Sequence, residues 1–185
     1  MSKKLVSQEA IDAYMERFQS MVKHKFTEKG DELFIAKLVA ESEQVNNLHV
    51  RAKVNEFEID CDEPEDLGGT HKAPNPMQLL LSSLANCLEI SALLYFSYAN
   101  LKVEAVKVKI EATYDKRYVL TDKNAPLPGF YNINYTWYVS TGEKLSIIEK
   151  ILKKVEENCP VKGTLTRSHD FKMNIELFNN QNLKD

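Results

Sequence analysis

The sequence predicts an α+β domain, and three observations carry the prediction. One long, almost uncharged helix lies near the middle of the chain. Short stretches of period-two alternation stand in consecutive groups before and after it. A helix with a 3, 4, 3, 4 apolar stripe follows. The order is helix, three strands, long buried central helix, two strands, helix with a short second helix, final strand. No regular strand–helix–strand repeat occurs, so consecutive strands are expected to pair antiparallel. There is no internal repeat and no low-complexity segment.

The central helix is read from Asn75 to about Asn100. Asn75 is a good N-cap, Pro76 stands where the first helical N–H would be orphaned anyway, and Gln78 completes a capping-box pattern. Asn100 suits the left-handed residue that ends a helix. Roughly 24 residues would span about 36 Å. Glu89 is the sole charged side chain between Lys72 and Lys102, so burial on most sides is expected. Asn86, Glu89 and four serines argue for a protein core over a bilayer.

Ahead of it, Ser7 can cap a helix over about 8–25, with Ile11, Tyr14, Met15, Phe18, Met21 and Val22 as its stripe. Residues 31–41 read as a strand, as do 47–54, where Leu48, Val50, Ala52 and Val54 alternate with His49, Arg51 and Lys53. Parity shifts at Asn55-Glu56, the mark of a tight turn, and Phe57 and Ile59 continue beyond it. Residues 61–75 form a loop with two prolines and Gly68-Gly69. Its acids from Asp62 to Asp66 could bind a hard cation but read better as a solvated loop.

Beyond the central helix, Val106, Val108, Ile110 and Ala112 line one face of a strand. Residues 122–129 form an exposed loop, and Ile133, Tyr135, Trp137 and Val139 line the next strand. Thr141 or Gly142 starts the following helix, whose stripe is Leu145, Ile148, Leu152, Val155 and Cys159. Pro160 ends it, and a short helix can begin there with Cys159 as its cap. Phe171, Met173, Ile175 and Leu177 alternate in a closing strand, and residues 179–185 form a frayed tail. Residues 1–30 are expected as an N-terminal helical extension and 31–178 as the main domain.

Composition narrows the function. Hydrophobic residues are 43% and charged residues 28% of 185, and the net charge is −3. That excludes the basic footprint of a nucleic-acid or anionic-membrane binder. The N-terminus lacks the apolar core of a signal peptide, and three cysteines are an odd number. A reducing cytoplasm with free thiols is the expectation. No Gly-rich phosphate loop or serine elbow occurs, and His24, His49, His71 and His169 lack ligand spacing, so neither cofactor nor metal is expected.

The chemistry then falls to cysteine. Cys87 lies inside the central helix. Cys159 ends an amphipathic helix, where a following helix and nearby Lys162 and Arg167 could support a thiolate. Cys61, at a strand end, reads as incidental. From the residues alone two readings stand: a Cys87–Cys159 redox pair, or cysteines used as small buried hydrophobes.

Two runs bear on that choice. Gly-Gly-Thr-His-Lys-Ala-Pro-Asn-Pro-Met-Gln-Leu-Leu-Leu-Ser-Ser-Leu-Ala-Asn-Cys (68–87) and Glu-Asn-Cys-Pro-Val (157–161) resemble the signature of the OsmC/Ohr family, the osmotically inducible and organic hydroperoxide resistance proteins. The resemblance covers roughly 31–178. It implies an intertwined homodimer with sites at the subunit interface. It also implies a two-cysteine peroxidase in which Cys87 attacks an organic peroxide, Cys159 resolves the sulfenic acid, and an external dithiol restores the thiols. The family's peroxidases carry Glu directly after the helix-starting Pro, where this chain has Met77. They also carry an Arg, for which Arg51 and Lys53 are the nearest residues here. Glu89 stands on the wrong side of the helix to replace the acid. The expectation is therefore a weaker peroxidase. The alternative is a non-catalytic module holding a small hydrophobic ligand at the dimer interface.

Overall fold

Ser7 starts the first helix as its spacing predicts. In the computed structural model, which describes residues 4–177, its hydroxyl accepts from the Ala10 N–H at 3.2 Å and α1 runs Gln8–His24. The helix buries none of its own residues; Tyr14 meets Tyr98 of the central helix, ring centres 5.7 Å apart, and Arg17 lies over the Phe34 ring.

The strand expected over 31–41 is not formed as one: 31–34 are helical, 35–39 are irregular and only 40–41 are in a strand. Thr27 caps α2 (Glu28–Phe34), its side chain accepting from the Gly30 N–H, and Glu28 and Asp31 sit in the first turn, where the helix end is positive. Cap and charge outweigh the apolar Leu33-Phe34-Ile35 run, and β1 starts only at Ala40 (Ala40–Asn46). It joins β2 (His49–Val54) and β3 (Phe57–Cys61) in an antiparallel meander. Asn55 takes a left-handed φ of 53°, and Val54 pairs with Phe57, so the expected Asn55-Glu56 turn is there.

One acid of the following loop is not solvated. Asp62 is 2% exposed. Its carboxylate accepts from the Glu63, Thr70 and Lys72 N–H groups at 2.9, 3.0 and 3.1 Å and from the Thr70 hydroxyl at 2.6 Å. That last bond is the largest influence. Burial opposes it, the backbone donors reinforce it, and the carboxyl is lowered to about 2. The loop is thus folded around a buried anion just ahead of the central helix.

That helix, α3, runs Pro76–Tyr98 with the full capping box: the Asn75 side chain accepts from the Gln78 N–H at 2.9 Å, and the Gln78 side chain from the Asn75 N–H at 2.8 Å. Asn100 follows it in a left-handed conformation. Leu84, Leu88, Ala92 and Phe96, four residues apart, form its buried face against β4 (Val103–Thr113) and α4 (Leu145–Glu157). Burial on most sides, the sequence expectation, does not hold within this protomer. Ile90 is 58% exposed, because the β1–β3 meander pairs within itself and does not cover α3. Among the described residues α3 is the one helix long and apolar enough to cross a bilayer by length and composition.

Strands β4 and β5 (Tyr131–Thr141) pair antiparallel, with Val108 opposite Trp137 and Ile110 opposite Tyr135. Helix α4 starts later than expected. Thr141 is still in β5, Lys144 is the cap, and Leu145 is 72% exposed, so the buried stripe begins at Ile148 and runs through Leu152 and Val155 to Cys159. Cys159 then caps α5 (Pro160–Leu165), as its position before Pro160 predicts. The closing strand over 171–177 is not formed. Phe171 is 93% exposed, and Met173, Ile175 and Leu177 are exposed with it. Alternation supplies a face but no ladder, and among the described residues no strand pairs with these. The expected tail at 179–185 lies outside the described residues.

Two outcomes follow. Phe96→Ala leaves a cavity at the centre of the α3 face and should destabilise the fold by roughly 3–5 kcal/mol in urea unfolding. Asp62 should make stability acid-sensitive. Its folded pKa, about 2, lies below the unfolded value of about 3.9, so its contribution is complete above pH 4 and is lost as pH falls from there toward 2. Urea titrations between pH 6 and pH 2.5 should show a steeper decline in wild type than in Asp62→Asn. Parallel declines would remove Asp62 as the cause.

Candidate active site

Two independent periodicities bring the sulfurs together. The capping box sets the start of α3, and Cys87 then falls between Leu84 and Leu88, on the flank of the buried face. The α4 stripe carries inward to Cys159, which is 2% exposed. Their Sγ atoms are 3.1 Å apart. Both are free thiols, and a disulfide bond of about 2.05 Å needs only a small approach. Cys61 is buried at the end of β3 and does not join them.

The sulfurs differ in surroundings. Cys159 is nearly enclosed and its Sγ accepts from the Lys162 N–H at 3.5 Å, the bond expected of a helix cap. Cys87 is half-buried. Burial pushes its thiol up. The Val161 backbone pulls the other way, and the neighbouring Cys159 adds to the rise. Among the described residues no charged side chain hydrogen-bonds to either sulfur.

Charge does gather one turn away. Lys162 Nζ donates to Tyr135 Oη at 3.2 Å and to Glu156 Oε2 at 3.3 Å, and lies over the Tyr135 ring. Burial works against the ammonium, but the bonds to Tyr135 and Glu156 outweigh it, and its pKa is raised. Burial likewise raises the Tyr135 phenol, with Glu156 adding to the rise and Lys162 opposing it. Lys162 was legible as a neighbour of Cys159. Tyr135 and Glu156 were not, since they come from β5 and α4 and share no spacing. Arg167 turns away, its Nε donating to the Gly163 carbonyl at 2.9 Å.

The residues nearest to the missing Arg are occupied elsewhere. Arg51 grips Asp60 across β2 and β3 at 2.7 and 3.1 Å, and Lys53 is exposed between Glu41 and Glu58 in the strand register. Met77 is half-buried in the first turn of α3, and Glu89 lies about 200° round that helix from Cys87. Two surface clefts lie elsewhere. One is lined by Leu5, Ile11, Leu101 and Glu143, the other by His71, Gln78 and Ser82. Within one protomer the cysteine pair therefore sits outside both. No three His, Cys, Asp or Glu side chains converge as metal ligands among the described residues.

Comparison with known proteins adds to this geometry. An OsmC-like protein from Mycoplasma pneumoniae shares 22% identity at a TM-score of 0.59, over 70% of this chain and 87% of that one. An organic hydroperoxide resistance protein from Legionella pneumophila shares 22% at 0.52, over 71% and 90%. One from Elizabethkingia anophelis, with crystallant-derived thiocyanate bound, shares 18% at 0.52, over 71% and 89%. At such identities the likeness is one of fold, and no curated protein matches the sequence. The model of the OsmC-like protein family matches residues 69–174, more than half of the chain and a span that holds both cysteines. The chain has the OsmC-like α+β fold and belongs to the OsmC-like protein family.

Proposed function

We propose that this protein is a thiol-dependent peroxidase that reduces organic hydroperoxides with Cys87 and Cys159. The observation that carries the reading is the 3.1 Å approach of two free thiols of unequal exposure. Family membership supports the same broad role. The Cys87 thiolate attacks one peroxide oxygen, the O–O bond breaks, and the departing alkoxide takes a proton to leave as alcohol. Cys87 becomes a sulfenic acid. Cys159 attacks that sulfur and loses its proton, the hydroxyl leaves as water, and a disulfide remains. An external dithiol supplies two electrons and two protons to restore both thiols, which suits a reducing cytoplasm.

Among the described residues no charged side chain hydrogen-bonds to Cys87, and burial raises its pKa. The reactive thiolate is then a minor species at neutral pH and grows as pH rises toward the folded pKa. Stopped-flow mixing of the reduced protein with cumene hydroperoxide should give a rate that climbs about tenfold per pH unit between pH 7 and 9. Cys87→Ser should abolish the reaction, and Cys159→Ser should stop it at a sulfenic acid that dimedone traps. Equal thiol loss in wild type and Cys87→Ser would end the peroxidase reading.

A second reading has one observation of its own: half-buried Met77 stands beside the α3 N-terminus where the family's peroxidases have an acid. Here the fold serves as a non-catalytic module for a small hydrophobic ligand. Native mass spectrometry separates the two. Thiols inert to peroxide, with a co-purifying apolar ligand, favour the module.

Either reading calls for a second copy of the chain. The cysteine pair lies outside both of the clefts described, Ile90 and Leu80 of α3 face outward, and the 171–177 stripe is exposed. A homodimer would cover these surfaces and close the site. Light scattering coupled to gel filtration should give a dimer mass, and Phe171→Asp with Ile175→Asp should shift it toward the monomer. A wild-type monomer at micromolar concentration would remove the interface.

A further inference from the structure

We propose that Lys162, locked between Tyr135 and Glu156, is a positioning residue for disulfide closure. It holds the turn that keeps the Cys159 sulfur against Cys87. Lys162 acts at both ends. Its backbone N–H donates to Cys159 Sγ at 3.5 Å, while its ammonium donates to Tyr135 Oη at 3.2 Å and Glu156 Oε2 at 3.3 Å. The turn at Cys159-Pro160 is thereby tied to two separate elements. Tyr135 belongs to β5, and Glu156 to the last turn of α4. The Gly163 N–H also donates to the Cys159 carbonyl at 2.9 Å, closing the first turn of α5.

The tie matters because α5 is short and, apart from Val161 packed against the core and its contact with α3, is lightly held. The helix has six residues and no buried residue of its own, and Thr164, Leu165 and Thr166 are exposed. Pro160 contributes no N–H, so the first donor able to reach the cap sulfur from inside α5 comes from Val161 or Lys162. The Lys162 N–H is that donor, 3.5 Å from Cys159 Sγ. One short turn therefore holds the Cys159 sulfur, and the Lys162 side chain is its polar anchor. Intramolecular closure depends steeply on such placement: a displacement of about 1 Å can cost on the order of a hundredfold in rate.

This rests on the two-cysteine reading, but its test needs no peroxide. Reduced protein is mixed with oxidised glutathione. Cys87 opens the reagent's disulfide to give a mixed disulfide and one glutathione thiolate. Cys159 then displaces the second glutathione sulfur, leaving the protein disulfide and two molecules of reduced glutathione. Quenched samples are read by intact mass. Lys162→Met and the isosteric Tyr135→Phe should close about tenfold more slowly, with the mixed disulfide accumulating, and Lys162→Arg should recover most of the rate. Iodoacetamide should alkylate Cys87 at the wild-type rate in all of them, which a general loosening of the fold would not allow. Wild-type closure in both Lys162→Met and Tyr135→Phe would overturn the proposal. So would a rise in Cys87 alkylation that parallels the loss of closure. A protein inert to cumene hydroperoxide yet slowed here would lose the peroxidase reading and keep the positioning role.

Discussion

The phase of one helix governs this molecule. Once the reciprocal bonds of Asn75 and Gln78 fix where α3 begins, helical geometry leaves no freedom in which side chains meet β4 and α4. Leu84, Leu88, Ala92 and Phe96 form the buried face, and Cys87 is carried to its flank. Moving the start by one residue would rotate every one of them by about 100° and take the sulfur away from Cys159. The loop before Asn75 contributes to the same end, since the buried Asp62 gathers the 62–72 backbone around one carboxylate just ahead of Pro76.

Much of this was legible because it rests on local rules. The Ser7 and Asn75 caps, the Asn55 turn, the alternation of β4 and β5 and the placing of Cys159 before Pro160 each involve residues within a few positions of one another. The misreadings have equally physical sources. At 31–41 the apolar run was visible, but the Thr27 cap and the acids of the first turn weighed more. At 171–177 the alternation is real, yet a strand is defined by the neighbour it bonds to, and periodicity says nothing about a neighbour. Leu145 fits a stripe by spacing but lies ahead of the first turn that reaches the core.

The site divides along the same line. Each cysteine could be singled out from its own surroundings, and the two motifs could be paired by resemblance. The Tyr135, Glu156 and Lys162 cluster could not, because β5, α4 and α5 each supply one member. The tertiary fold also removes candidates that proximity in sequence suggested: Arg51 is committed to Asp60, and Arg167 to the Gly163 carbonyl.

The unequal exposure of the two sulfurs gives the oxidised protein a direction. A thiol arriving from solvent meets the half-buried Cys87 long before it can reach Cys159, which the end of α4 and the start of α5 enclose. Its attack would form a mixed disulfide at Cys87 and expel Cys159 inward, onto the N–H of Lys162. The leaving group then stays beside the bond it has just left. A single thiol would be displaced again by that neighbour, whereas a molecule carrying two thiols in one frame can finish the exchange before Cys159 returns. Burial alone would thus make the pair discriminate among reductants by valence.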